Sequence, residues 1–445
     1  VVHPANLFFR TYHRVTHSLA FFPTLIAVGF LLVCIFNMAI EYQPWLMALK
    51  QRFDFGLVRN PDNARLILGT LVGGILTLMV FSFSMVMVVL NNASASLSPR
   101  VIPGLISSKS HQKTLGFYLG TILYALLLIT TIEQTEQYQA PSLGVLITLG
   151  LAIACLGLFV HFIRSISQSI QVEYILNNLY ATTLEKLTSR VDKLLDASEL
   201  PAWPADQGWV VVNAQRSGYF KTFNIHTLNR LLVDNDLRMT VLIHRGFFVM
   251  PGHPLLKLER KVDDELCQQL LDCFDFFVEQ YASTHYVFGC QQISEIAVKA
   301  LSPGINDPCT AITAIDMLSV LFCKRLQLPD LDCAPLADEA PRVFFFELSL
   351  DQLLQQIFGP IRTYGSSDPQ VLTNLLEAFK NLMFQNPRAQ HQAELITHAR
   401  SVVETADRHI AIRRDRQELN DMIERFNKVA GLSPPALAPL QLEQR

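Results

Sequence analysis

The sequence predicts a membrane α-helical bundle of four transmembrane helices, followed by a cytosolic α+β domain with a small β module and a helical C-terminal part. Three observations lead there. Charged residues are nearly absent from 66–90, 114–132 and 142–163. Half of the 445 residues are hydrophobic and only 17% are charged, with a mean hydropathy of +0.27, too little charge to cover a soluble protein of this length. Charge then returns in 257–279 and 401–428, so the apolar excess belongs to the N-terminal third.

The first span is predicted over Leu19–Ile40. Arg10 and Arg14 ahead of it resemble the start of a signal peptide. The apolar run is too long for one, however, and lacks a small-residue cleavage site, so it reads as a membrane helix. The others are expected over Leu66–Leu90, Leu115–Ile132 and Leu143–Ile163, each reaching or approaching the roughly 20 residues that cross a ~30 Å hydrocarbon core. Gly69-x-x-x-Gly73 and Gly116-x-x-x-Gly120 offer flat faces for close helix packing.

Orientation follows from Lys and Arg in the connections. The 133–141 connection carries Glu133 and Glu136 without a cation. Arg100, Lys109 and Lys113 mark 91–114, and Arg164 follows the fourth span. Both termini are therefore expected in the cytoplasm. The basic connection Glu41–Arg65 opposes this rule, but an even number of crossings places it outside.

The second span has a polar end that the others lack: Ser82, Ser84, Asn91, Asn92, Ser94, Ser96 and Ser98, leading into Pro99-Arg100. Such residues need hydrogen-bond partners within the bilayer. They suit interhelical bonding, a helix end emerging into water, or the lining of a pore.

Ser165–Leu195 continues as a helix without Pro or Gly. Leu176, Tyr180, Leu184, Leu187, Val191 and Leu194 form a seam of fours and threes, suited either to the chain's own soluble domain or to self-association. Pro201 and Pro204 break it. Strands are expected within Gly208–Ala214 and Leu237–Ile243, a short helix over Asn224–Val233, and another short strand amid the turn residues of Gly246–Leu255.

Helices are expected to dominate from Asp263. Leu301-Ser-Pro-Gly-Ile-Asn-Asp-Pro308 must turn tightly, with Asp307-Pro308 opening a helix over Cys309–Lys324. Ser302, Gly304, Asn306, Asp307 and Thr310 make this either a structural corner or a small-anion site at a helix start. Asp368-Pro369 opens a second helix in the same way, and Glu404–Lys428 reads as one charged amphipathic helix. The expected divisions are a transmembrane domain over 1–164, a helical stalk over 165–200, a β-rich module over 201–260, a helical domain over 261–430 and a mobile tail over 431–445.

Asn91–Leu105 (NNASASLSPRVIPGL), the third span opening Leu115-Gly-Phe-Tyr-Leu-Gly120, and Ala300–Pro308 (ALSPGINDP) together resemble bacterial predicted membrane proteins of domain-of-unknown-function family 2254. The resemblance implies location and architecture and carries over no catalytic residues.

Several functions are disfavoured. A net charge of −3 provides no general basic surface for nucleic acid. Eight scattered cysteines form no Cys-x-x-Cys pair, and neither they nor His226, His244 and His253 have metal-ligand spacing. No nucleophile elbow, phosphate-binding Gly-rich loop or His-Glu-x-x-His occurs. The chain is thus expected to have no enzymatic activity, cofactor or metal. Two functions remain: an oligomeric channel or transport-like protein with a cytosolic regulatory domain, or a membrane-anchored sensor or scaffold whose cytosolic domain binds a small ligand or a partner protein. The bilayer, a homo-oligomer and an ion or small anion are the expected partners.

Overall fold

The computed structural model describes residues 21–41, 43, 58, 60–96, 109–132, 141–169, 171–195, 204–277, 285–328, 331–336, 339–385 and 387–442. The chain divides into two compact units, the second beginning at Ile175.

The first unit is built from α1 (Phe21–Glu41), α2 (Pro61–Ser96), α3 (Lys109–Thr130) and α4 (Ser142–Ser169). All four are long and apolar enough to cross a membrane. Asn60 starts α2 by accepting the amides of Asp62 (2.8 Å) and Asn63 (3.2 Å) on its side chain, with Pro61 in the first helical position. Its polar end remains helical through Asn92, Ser94 and Ser96, while Ser98 and Arg100 lie outside the described residues.

The two glycine pairs have different surroundings. A Cβ at Gly116 would lie 2.9 Å from Pro23 Cα, and one at Gly120 2.7 Å from Phe30 Cγ, so these glycines let α1 and α3 approach closely. Around Gly69 and Gly73 a Cβ would meet nothing. We therefore expect Gly120→Ala to destabilise the detergent-solubilised protein by about 1–3 kcal/mol, as overpacking does. Gly73→Ala should leave it unchanged or slightly stabilised. Thermal unfolding of the two variants checks the contrast. Polar bonds close the same bundle: Asn37 Nδ2 donates to Tyr124 Oη, and Glu41 Oε1 accepts the Leu143 amide at 3.1 Å, capping α4 from 102 residues away.

Residues 165–169 complete α4, and a new helix, α5 (Val172–Leu195), follows residues 170 and 171. The expected stalk is thus two pieces. On α5, Leu176, Leu187 and Val191 of the anticipated seam are buried along with Thr183. Their partner is this chain's own second unit, because Thr183 packs on Gly289.

The second unit continues with β1 (Val210–Asn213), β2 (Gly218–Phe223), α6 (Ile225–Asp234), β3 (Met239–Val241), β4 (Phe248–Val249), β5 (Pro254–Leu258), α7 (Asp264–Asp272) and β6 (Phe274–Phe277). Then come α8 (Tyr286–Ala300), α9 (Pro308–Arg325), β7 (Leu331–Leu336), β8 (Glu339–Phe346), α10 (Leu350–Tyr364), α11 (Pro369–Phe384), α12 (Ala389–His409) and α13 (Arg413–Ala430).

The β part does not end at 260, as the sequence reading expects. One sheet has the order β1-β5-β3-β8-β7 and the other β4-β2-β6. β8 joins parallel to β3, with Thr240 opposite Phe344, a pairing across about a hundred residues that local pattern does not reveal. Phe220, Phe223, Phe274 and Phe345 meet in the core beneath the sheets.

Helix starts obey their caps. Asn224, Asp263, Asp307, Ser349 and Asp368 each accept a backbone amide at the head of the following helix, a contact usually contributing about 1 kcal/mol. The expected single helix over Glu404–Lys428 is broken at Ile410–Ile412, where both flanking residues are extended. Buried Arg416 holds that break by donating to the Asp407 carboxylate and the Ile410 carbonyl.

The segment after Gly431 is not mobile up to Leu442. Gly431 takes a left-handed conformation (φ 63°) and ends α13. The chain then returns along that helix. Asn427 brackets Leu437 and Asn420 brackets Leu440, each giving and receiving one backbone bond of 2.7–2.9 Å. Leu437 and Leu440 are buried. Proline and leucine in this tail serve docking, which composition alone does not distinguish from disorder.

Candidate functional site: a cationic cavity built on Glu347

A cavity of about 460 Å³ lies within the second unit. Its lining comprises Lys186, Ser189 and Arg190 from α5, Lys221 and Thr222 from β2, Arg245, and His285 with Tyr286 at the head of α8.

Each element aims its residues for a local reason. Lys186 and Arg190 are four apart on α5 and share a face. Lys221 is the extra residue where β2 slips against β6, since Phe220 faces Phe276 while Thr222 faces Asp275. Such a bulge redirects a side chain. Arg245 precedes Gly246, whose φ of 84° favours glycine and whose amide bonds to the Phe220 carbonyl at 2.8 Å.

Beneath the lining sits Glu347, its side chain 7% exposed. Its Oε1 is met by Arg190 Nη2 at 2.9 Å, Arg245 Nη1 at 3.1 Å and His285 Nε2 at 3.2 Å. Tyr286 Oη donates to Oε2 at 3.3 Å. The segment carrying Glu347 is pinned on both sides. β8 ends just before it, Ser349 caps α10 with a capping box just after it, and Arg325 Nη2 donates to the Leu348 carbonyl at 3.1 Å.

Burial opposes ionisation of Glu347, but His285, Arg190 and Arg245 outweigh it and hold the carboxyl well below its usual range. Burial pushes His285 down to about 4 despite Glu347. The ring is therefore neutral at pH 7. Its Nδ1 accepts the Val287 amide at 3.4 Å, so Nε2 carries the proton offered to Glu347.

This predicts a stability profile. Unfolded histidine takes up its proton near pH 6.5, whereas folded His285 resists until about 4. The folded state is thus penalised as pH falls from 6.5 toward 4, by about 3 kcal/mol. Protonation of Glu347 costs more in the same direction below the ordinary carboxylate pKa. His285→Asn, which retains a cap for Val287, should flatten the stretch between pH 6.5 and 4 in thermal unfolding of the full chain.

Among the described residues, the cavity holds four cationic side chains against Glu347, which leaves a surplus of three positive charges. Lys221 also approaches exposed Asp275 at 3.7 Å, and counting that carboxylate the surplus is two. Chemically, such a lining can attract a small anion. Among the described residues no group of three or more His, Cys, Asp or Glu is arranged to hold a metal ion.

The residues singled out from sequence lie elsewhere. Ser82 is buried beside Tyr118, while Ser84 and Asn91 are exposed. With Thr70 and Thr77 these two form an exposed polar row at seven-residue intervals along α2. Sequence reasoning overlooked this spacing, although it is visible there. Thr70 and Thr77 donate to the carbonyls of Leu66 and Gly73, which satisfies their hydroxyls. The side chains of Asn92, Ser94 and Ser96 lie outside the described residues.

At the second candidate, Ser302 Oγ donates to the Lys299 carbonyl, and Asp307 takes both the amide and the hydroxyl of Thr310. The amides of Ile305 and Asn306 bond to the Ser302 carbonyl, and that of Asp307 to Ala300. Asn306 is left-handed (φ 51°), and around Gly304 a Cβ would meet nothing. Ser302, Asp307 and Thr310 thus spend their polar groups on the corner itself, while Asn306 stays exposed. The cavity was missed because its cations come from three separated segments. The available signal was Glu347 itself, a lone carboxylate in Val343-Phe-Phe-Phe-Glu-Leu348.

Comparison with known proteins agrees with the membrane unit. The chain is similar to "Uncharacterized protein Mb1321c" of Mycobacterium bovis and "Uncharacterized protein Rv1290c" of Mycobacterium tuberculosis. Each is 26% identical over 400 residues, covering 85% of this chain and 75% of the relative. No solved structure matches the chain. The family model described as "Predicted membrane protein (DUF2254)" matches residues 16–381, and the chain therefore belongs to this family of predicted membrane proteins.

Proposed function

We propose that this protein is a membrane-anchored sensor whose second unit binds a small anion in the cavity above Glu347. The surplus of positive charge in an open, 460 Å³ cavity carries this reading. Pockets of that size suit small ligands. Glu347 spaces and orients the two half-buried guanidinium groups, so they are preorganised rather than mobile. A route to the membrane is supplied by α5, which bears Lys186 and Arg190 and follows the fourth span after residues 170 and 171. The Lys and Arg bias of most connections supports a cytoplasmic location for this unit and both termini, in a bacterial inner membrane. The reading assigns binding and no reaction.

Thermal unfolding of the full-length protein in detergent, titrated with phosphate, tests the proposal. A saturable rise in Tm that the paired substitution Lys186→Gln/Lys221→Gln abolishes is expected. Neither lysine bonds to Glu347, so the fold should survive. A rise of equal size in that variant, or none in either protein, would count against the cavity.

A second reading, an oligomeric channel or transport-like protein, is favoured by the exposed row Thr70, Thr77, Ser84 and Asn91 beside open Gly69 and Gly73. Polar and small residues on a span's outer face suit another helix or a water path better than lipid. Ion flux in proteoliposomes that changes with Ser84→Ala or Asn91→Ala supports it, and absence of flux argues against it.

A further inference from the structure

The anion-binding reading leaves the chemistry of the ligand open, and the lining narrows it. Lys186, Arg190, Lys221 and Arg245 can only donate hydrogen bonds. His285 Nε2 and Tyr286 Oη are already turned toward Glu347. Ser189 and Thr222 are the remaining hydroxyls. A ligand that engages these donors presents several acceptors to them and carries at least two negative charges.

Size excludes a single tetrahedral oxyanion as a full occupant, because about 460 Å³ holds several such groups. The donors also come from separate elements. Lys186, Ser189 and Arg190 stand on α5, Lys221 and Thr222 on the β2 bulge, and Arg245 on the turn before Gly246. Such a set engages two adjacent anionic groups better than one. Guanidinium groups paired with ammonium groups are the usual combination for phosphate oxygens.

We infer that the ligand carries two or more linked phosphate groups, a diphosphate being the smallest that satisfies both the charge and the space. This inference rests on the anion-binding reading of the same cavity. Three sources share the chemistry: inorganic pyrophosphate, a nucleoside diphosphate and an isoprenoid diphosphate.

Isothermal titration of the full-length protein in detergent, without divalent cations, separates the possibilities. The probes are pyrophosphate, ADP and geranyl diphosphate, compared with orthophosphate and with citrate as a non-phosphate polyanion. At least one diphosphate should bind about tenfold or more tightly than orthophosphate and citrate. Lys186→Gln/Lys221→Gln should reduce that affinity by about tenfold or more. Equal affinity for the three diphosphates supports recognition of the phosphates alone, while preference for ADP or geranyl diphosphate supports recognition of its organic group as well.

If citrate or orthophosphate binds as tightly as every diphosphate, and the lysine pair still matters, the diphosphate inference is overturned and the anion site stands. If no probe binds in a manner that depends on the two lysines, both are overturned.

Discussion

Glu347→Ala should lower the stability of the second unit by about 3–5 kcal/mol, the usual cost of removing one partner from a buried ionic cluster. The substitution removes the one carboxylate oxygen that Arg190 and Arg245 share, each within 3.1 Å of it. Burial makes this severe, since Arg245 is already pushed below the ordinary guanidinium pKa by desolvation. His285 and Tyr286 also lose their acceptor. Each lost kcal/mol lowers Tm by roughly 2–4 °C in a unit of this size, so a fall of about 10 °C is expected. Added anion should then raise the Tm of the variant by more than it raises the wild type, because it replaces the missing charge. A Glu347→Ala protein within about 0.5 kcal/mol of wild type would mean that the carboxylate does not organise the cavity.

Gly289→Ala should be nearly as damaging. A Cβ there would be driven into Thr183 Oγ1 and would lie 2.9 Å from Thr183 Cβ and Cγ2. The hydroxyl has little freedom to retreat, since it donates to the Leu179 carbonyl. Overpacking of this kind costs about 1–3 kcal/mol, and α5 must move away from α8 to relieve it. Thr183 shares a helix face with Arg190, seven residues on, so the movement should weaken anion binding as well. Thr183→Ala removes two of the three clashing atoms and should recover more than half of both losses. A double-mutant cycle measures that coupling. Additive effects at the two positions would contradict direct packing of α5 on α8.

How much was legible in the sequence depended on the range of the interaction. Spans were readable because twenty apolar residues in a row have few other uses, and all four appear as helices that are long and apolar enough to cross a membrane. Caps at Asp307 and Asp368 were readable because side chain and amide are two or three residues apart. The strand pairing of Thr240 with Phe344 was not, and neither was the convergence of Arg190, Arg245 and His285 on Glu347. Both depend on contacts between residues far apart in sequence, from 62 residues for His285 and Glu347 to 102 for Arg245 and Glu347 and more for Arg190. The tail shows a third kind of difficulty: the backbone of Leu437 and Leu440 is held by two asparagines of α13, a pairing without a compositional signature.

One kind of measurement bears most directly on the anion-binding cavity. A density map of the full-length protein in lipid nanodiscs, collected with saturating pyrophosphate, should show the anion within hydrogen-bond distance of Arg245 and Lys221, with Glu347 still paired to Arg190. An empty cavity under those conditions, or an anion bound only elsewhere on the protein, would contradict the account.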